Sequence, residues 1–286
     1  MELKFKKSFA LGVALFAPIT GFAAGLTEVG DEVIAQQRAA LAASSVGAGF
    51  GPQAPRDLRN SEGSNKRIFG MAPAASQMNL CNIHFHKGAE HAGGEFTKFL
   101  GNGDGAGHGT GYAYDGDLTE AELTPIAAPI GTGDHGKLQS GDTIEVHFVH
   151  TSADVVPGPT LGACLADSNG NPQLRVETQV MVLVNDASAQ NFKSLAQLSE
   201  VDGYWQAPNV PSDTGTPILY TGSTTGPSYN EVASPFEVTW SVRPEVIKVD
   251  INSVAAWYED NVFEEDHAHA VRNLVVNPAL LSRISK

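Results

Sequence analysis

The chain has 286 residues, with 32 acidic against 18 basic side chains and a formal net charge of −14. That surplus of negative charge repels phosphate backbones and excludes nucleic acid as a natural partner. No apolar run reaches the roughly 20 residues that a membrane-spanning helix needs, so no membrane span is expected.

Residues 1–23 read as a secretory signal peptide, with Lys4, Lys6 and Lys7 ahead of an apolar run from Phe9 to Ile19, small residues at Gly21 and Ala23, and cleavage after Ala23. The mature chain is therefore expected to be exported, to the periplasm or the extracellular space. Residues 24–47 form an N-terminal helical segment, its amphipathic helix running over 27–43 with Thr27 or Asp31 as the N-cap. From there to about residue 70 the text is rich in Gly, Pro and Asn and reads as loop. A first strand is expected near 80–86, and Gly101–Gly111 is glycine-dense enough to be a surface loop. Further strands are expected near 143–150, 174–184, 216–221, 236–242 and 245–250, followed by a helix over Val254–Phe263. No regular alternation of strand and helix appears, so a doubly wound parallel fold is disfavoured. The two cysteines, Cys81 and Cys164, are expected to pair in an exported chain. In the loop-entropy picture such a bridge is worth about 4.5 kcal/mol.

Chemistry concentrates in two of these strands. In NIHFHKGAEH (82–91), Asn82, His84 and His86 project from one strand face, because side chains alternate with period two. In IEVHFVHT (144–151), His147 has Glu145 on its own face, whereas His150 points the other way. Three neutral imidazoles suit zinc and leave a fourth tetrahedral position open, the mark of a catalytic site. Asn82 and Glu145 are placed to accept the outer ring N–H of a ligand and fix its orientation. Val149, on the ligand strand, is a candidate for an apolar pocket wall. His91 reads as a hydrogen-bonding residue at the strand end, and His108 and His135 as exposed loop residues. His267 and His269 lie in EEDHAHAVRNLV, which reads as helical or as an acidic solvated segment. Weak adventitious metal binding is the most expected of that pair. Trp205, Trp240 and Trp257 read as packing residues.

These motifs carry a resemblance. NIHFHKGAEH followed by EVHFVHT resembles the metal-binding strands of alpha-type carbonic anhydrases. FGPQAPRDL (50–58), MNLCNIHFHKGAEHAGGEFTKF, PGPTLGACL, YTGSTTGPSYN and SPFEVTWSV resemble the delta class, over about residues 48–245. The resemblance implies a mainly β fold, with a large, twisted, mostly antiparallel sheet, short peripheral helices and a cleft for the metal. It implies a single catalytic domain over 48–286 and the reversible hydration of CO2 to bicarbonate by metal-bound hydroxide. It also implies a zinc ion on His84, His86 and His147, replaceable in the delta class by cobalt or cadmium, and a gatekeeping hydroxyl held by a glutamate. Glu90 matches that glutamate. Aligning Tyr220, Gly222 and Ser223 with the family's Y-x-G-S run puts Thr225 at the gatekeeper position, with Thr224 the alternative one residue away. The family's apolar neighbour and second threonine are here Thr224 and Gly226, which leaves the construction of the CO2 pocket open.

Two other readings stand beside it. HxHxxxE also fits a cupin barrel, in which His84, His86, Glu90 and His147 would hold iron or manganese for an oxygenase or isomerase. A carbonic-anhydrase-like module that only binds is the third, and the presence of all three ligands counts against it.

Overall fold

A computed structural model describes residues 26–67, 69–224 and 230–284. The expected signal peptide and Thr225 lie outside the described residues. The architecture is mainly β. Its strands are β1 (Asn79–Lys87), β2 (Lys98–Asn102), β3 (Thr110–Ala113), β4 (Thr143–Thr151), β5 (Leu174–Val184), β6 (Ser199–Val201), β7 (Tyr204–Gln206), β8 (Ile218–Ser223), β9 (Glu237–Val242) and β10 (Ile247–Asp250). Among the described residues three α-helices flank them: α1 (Asp31–Ser45), α2 (Phe192–Leu195) and α3 (Ile251–Tyr258).

The central sheet runs β1-β4-β5-β9-β8, and β10 also pairs with β5. β1–β4, β4–β5 and β8–β9 are antiparallel. β9 and β10 pair with β5 in parallel, through Leu174–Thr178 and Met181–Val184 respectively. The sheet is thus mixed but mostly antiparallel, as expected, with two parallel pairings that both fall on β5.

Alternation along β1 and β4 sends Ile83, Phe85, Ile144, Val146 and Phe148 into one buried cluster. There they meet Met181 and Leu183 of β5 and are capped by Phe192 of α2 and Val254 and Trp257 of α3. The opposite face carries the polar residues described below, beside a second cluster that includes Val149, Val176, Tyr220 and Trp240. A bulge between Leu80 and Asn82 leaves Cys81 out of the β1–β4 pairing. From that point Cys81 forms the expected disulfide with Cys164, their Cα atoms 5.0 Å apart.

Several local expectations change. α1 starts four residues later than expected, on Gly30, with no side-chain cap. Its Leu41 packs against Ala233, Val275, Leu280 and Leu281. The glycine-dense stretch is not all loop, because β2 and β3 form a hairpin that takes in Gly101 and Gly111. α3 ends at Tyr258 rather than Phe263. Residues 264–272 hold no helix. Instead His269 N donates to Phe85 O and Lys87 N to His269 O, so this irregular segment lies alongside β1. Among the described residues no helix is long and apolar enough to cross a membrane.

Candidate metal centre

The β1–β4 register sets His84 directly opposite His147 and His86 opposite Glu145. Period two then brings Asn82, His84, His86, Glu145 and His147 to one patch of the sheet. One ligand atom from each of His84, His86 and His147 lies within 4.8 Å of the other two. Their ring centroids are 5.4, 5.1 and 4.8 Å apart.

Each ring has one nitrogen already committed. His84 Nδ1 bonds Asn82 Oδ1 at 2.7 Å, and Asn82 is itself oriented because its Nδ2 donates to Gly158 O at 3.2 Å. His86 Nδ1 donates to Ala270 O at 2.6 Å, and His147 Nε2 bonds Glu145 Oε1 at 2.8 Å. With acceptors fixing the N–H on those atoms, His84 Nε2, His86 Nε2 and His147 Nδ1 are left as lone pairs. Two of them face each other, His147 Nδ1 and His84 Nε2, at 3.3 Å. Two opposed lone pairs repel, and a shared cation removes the repulsion. Nitrogens about 2.1 Å from a tetrahedral ion stand about 3.4 Å apart. The residues therefore fit a metal by donor chemistry and by spacing.

Electrostatics favours the neutral, ligating form. Burial pushes His84 well below the ordinary imidazole range, reinforced by His147 and His86. Burial also lowers His86 to about 4, against the opposing pull of Glu90. Glu145 is fully buried, which by itself would raise it, yet contacts to His91 and then His147 hold it well below the carboxylate range. His91, whose N–H and Nδ1 both meet Glu145, carries the network on to Tyr220 through Nε2 at 2.6 Å. Its expected hydrogen-bonding part is thus visible, but in the interior. Trp240 packs against both rings, 4.9 Å from His91 and 5.0 Å from His147.

Glu90 lies behind the ligand patch. Its carboxylate is 3.6 Å from His86 Nδ1 and 4.0 Å from His147 Nε2, the committed nitrogens, and it accepts from Arg272 N at 2.8 Å. A cupin ligand would sit on the side of the lone pairs, so this position argues against that reading, as does the open sheet.

A cavity of about 490 Å³ opens over the patch. One wall is apolar, with Leu161, Leu165, Leu174 and Phe236; Asn82, Thr224, Glu265 and His269 supply polar lining. Val149, expected as a pocket wall, does not line the cavity; it is buried in the second cluster, opposite Val176. His150, as expected, is turned away, buried with Nδ1 on Phe148 O. His269 corrects the sequence reading of a surface residue. Its ring lies 5.3 Å from His84 and 5.9 Å from His86, and its Nε2 bonds Glu265 Oε2 at 2.7 Å. The HxH at 267 and 269 was visible in the sequence, and the missing signal was any periodicity that would have excluded a helix. The Ala270 carbonyl and the Arg272 N–H were not foreseen, because they act through the backbone, and neither was the Arg272 guanidinium, which donates to Thr224 O at 3.2 Å.

This three-histidine patch, on an open sheet beneath a cavity with an apolar wall, is a group that could hold a metal ion. A model of the delta carbonic anhydrase family matches residues 75–253, and the chain belongs to that family. No curated protein sequence matches the chain. Among solved structures, the alpha-carbonic anhydrase from Thermovibrio ammonificans in complex with the inhibitor sulfanilamide is 13% identical, with 78% of this chain and 84% of that one covered and a TM-score of 0.28. The alpha-carbonic anhydrase of Photobacterium profundum is 14% identical, with coverages of 86% and 95% and a TM-score of 0.27. At those values the likeness adds nothing to the assignment, which rests on the family match.

Proposed function

We propose that the protein is a metal-dependent carbonic anhydrase, a lyase that interconverts CO2 and bicarbonate, with a divalent ion held by His84 Nε2, His86 Nε2 and His147 Nδ1. The observation that carries this is the set of three buried imidazole lone pairs, each fixed by an acceptor on the far side of its ring. Zinc suits the donor set, and cobalt or cadmium are the family's alternatives. When bound, the ion supplies the acidity that makes hydroxide available near neutral pH. The chain does the rest. Asn82, Glu145 and the Ala270 carbonyl aim the ligands, and Leu161, Leu165, Leu174 and Phe236, backed by Val149, offer CO2 a dry wall beside them. Thr225 is the gatekeeping hydroxyl and Glu90 the carboxylate that orients it. Residues 48–286 act as one catalytic domain. Residues 1–23 direct export to the periplasm or beyond, a compartment in which the Cys81–Cys164 bridge persists.

Stopped-flow CO2 hydration on metal-quantified, mature protein tests the reading. Close to one ion per chain and measurable hydration are expected. His84→Ala, His86→Ala and His147→Ala should each lose both. Thr225→Ala and Glu90→Ala should keep the ion and turn over more slowly. Full metal content in all three histidine variants would remove the proposed site.

A further inference from the structure

We infer, on the reading of Glu90 as the orienting carboxylate and Thr225 as the gatekeeper, that Arg272 is a positioning residue for the reaction, holding Glu90 and the peptide that leads into Thr225 in one frame. Arg272 lies in an irregular segment outside the family match at 75–253, and its two neighbours pin that segment on either side. Val271 N donates to Gly107 O at 2.8 Å. Asn273 N donates to Asn230 Oδ1 at 2.8 Å, and its Nδ2 donates to Gln37 Oε1 of α1 at 2.7 Å. Successive residues are thereby tied to the β2–β3 connection, to the site and to α1.

From that mount Arg272 reaches both partners. Its backbone N–H holds Glu90 Oε1 at 2.8 Å, and its Nη1 donates to Thr224 O at 3.2 Å. Thr224 lines the cavity, and its own N–H donates to Phe236 O at 3.1 Å. Both backbone groups of Thr224 are therefore committed. The atoms from one Cα across a peptide bond to the next move as a single plane, so fixing the Thr224 oxygen restricts where Thr225 begins. Arg272 and Glu90 are 6% and 3% exposed. A guanidinium buried that deeply costs free energy unless its N–H groups are paired, and its bond to a carbonyl is charge-assisted, about twice as strong as a neutral one. The planar guanidinium is also a more rigid donor than an ammonium. One residue thus sets where the carboxylate stands and where the chain enters the hydroxyl-bearing residue. Catalytic groups lose rate when such supports loosen, even where the fold survives.

Arg272→Met tests this, because it keeps the backbone bond to Glu90 and removes only the guanidinium. Elemental analysis should still find close to one ion per chain, since the three histidines and their acceptors are untouched. The kcat for CO2 hydration should fall about 10- to 100-fold with KM nearly unchanged. Arg272→Lys, which keeps the charge and a donor, should recover part of the loss. Amide exchange followed by NMR reads the clamp apart from activity: the Thr224 N–H should exchange about tenfold faster in Arg272→Met, while the amides of β1 and β4 stay protected. Unchanged kcat, unchanged Thr224 exchange, loss of the ion, or an Arg272→Lys variant as slow as Arg272→Met would each overturn the proposal. Should Arg272→Met fail to fold, Arg272→Gln, shorter and uncharged but polar, carries the same expectations. Absence of hydration in the unaltered, metal-loaded protein removes the carbonic anhydrase reading instead, and Thr224 exchange then decides the clamp alone.

Discussion

Asn82 shows how one side chain can serve both fold and site. Its Nδ2 grips Gly158 O while its Oδ1 fixes the tautomer of His84. Asn82→Ala should weaken metal affinity by about 10- to 100-fold while the chain still folds; competition against a chelator of known affinity measures it. His150 makes a different demand. Burial lowers it to about 4, against the opposing pulls of Glu177 and the Phe148 carbonyl. The folded state therefore requires the neutral ring. This stabilisation is complete above the ordinary imidazole range and is lost as pH falls from about 6.5 toward 4, a swing on the order of 3 kcal/mol. Denaturant titrations of the metal-loaded protein between pH 7.5 and 4.5 should show the loss, and His150→Gln should flatten it. At this scale the histidine patch was legible in the sequence, because period two and in-phase acceptors put Asn82, His84, His86, Glu145 and His147 on common faces. Ala270 and Arg272 were not. A backbone carbonyl and a backbone N–H leave no mark in residue type.

Among the elements, the bulge in β1 decides where the wall of the cavity is fastened. Cys81, left unpaired at the bulge, bonds covalently to Cys164, and its carbonyl accepts from Gly158 N. Thr151 Oγ1 holds the Cys164 carbonyl at 2.8 Å. The segment 158–165 is thereby clamped against β1 and β4, and it supplies Thr160, Leu161, Gly162 and Leu165 to the cavity. Cys81→Ala,Cys164→Ala should lower unfolding stability by about 4 kcal/mol, read from denaturant midpoints, and should also lower kcat/KM, since the apolar wall and the Asn82 anchor loosen together. Non-reducing peptide mapping should recover the Cys81–Cys164 peptide pair. The six expected strands of the sheet were legible because their alternation or apolar runs are strong. The β2–β3 hairpin was hidden by its glycines. At Gly101 and Gly111, φ values of +102° and +97° allow strand pairing that composition alone reads as loop.

Across the whole molecule, the site depends on chain that lies beyond the matched family segment. Residues 264–284 contain little regular structure, yet Ala268, Val271, Val275, Leu280 and Leu281 are buried. Val275 N donates to Pro55 O, Ile284 N to Ser61 O and Arg272 N to the carboxylate of Glu90. A chain ending at Glu264 should fail to hold stoichiometric metal although all three histidines remain, and elemental analysis of the purified truncation checks this. The parallel pairings of β9 and β10 with β5 were illegible for a related reason, since strand direction depends on long connections and not on local pattern. The Ala270 carbonyl reaches His86 across 184 positions of sequence. During synthesis both imidazoles of β1 emerge long before their distant clamp, so an ion met early finds only loosely held rings. Tight loading must wait for the tail to dock. If residues 1–23 direct export as proposed, that ordering would postpone firm metal capture until translocation is over, and the destination compartment would choose the ion.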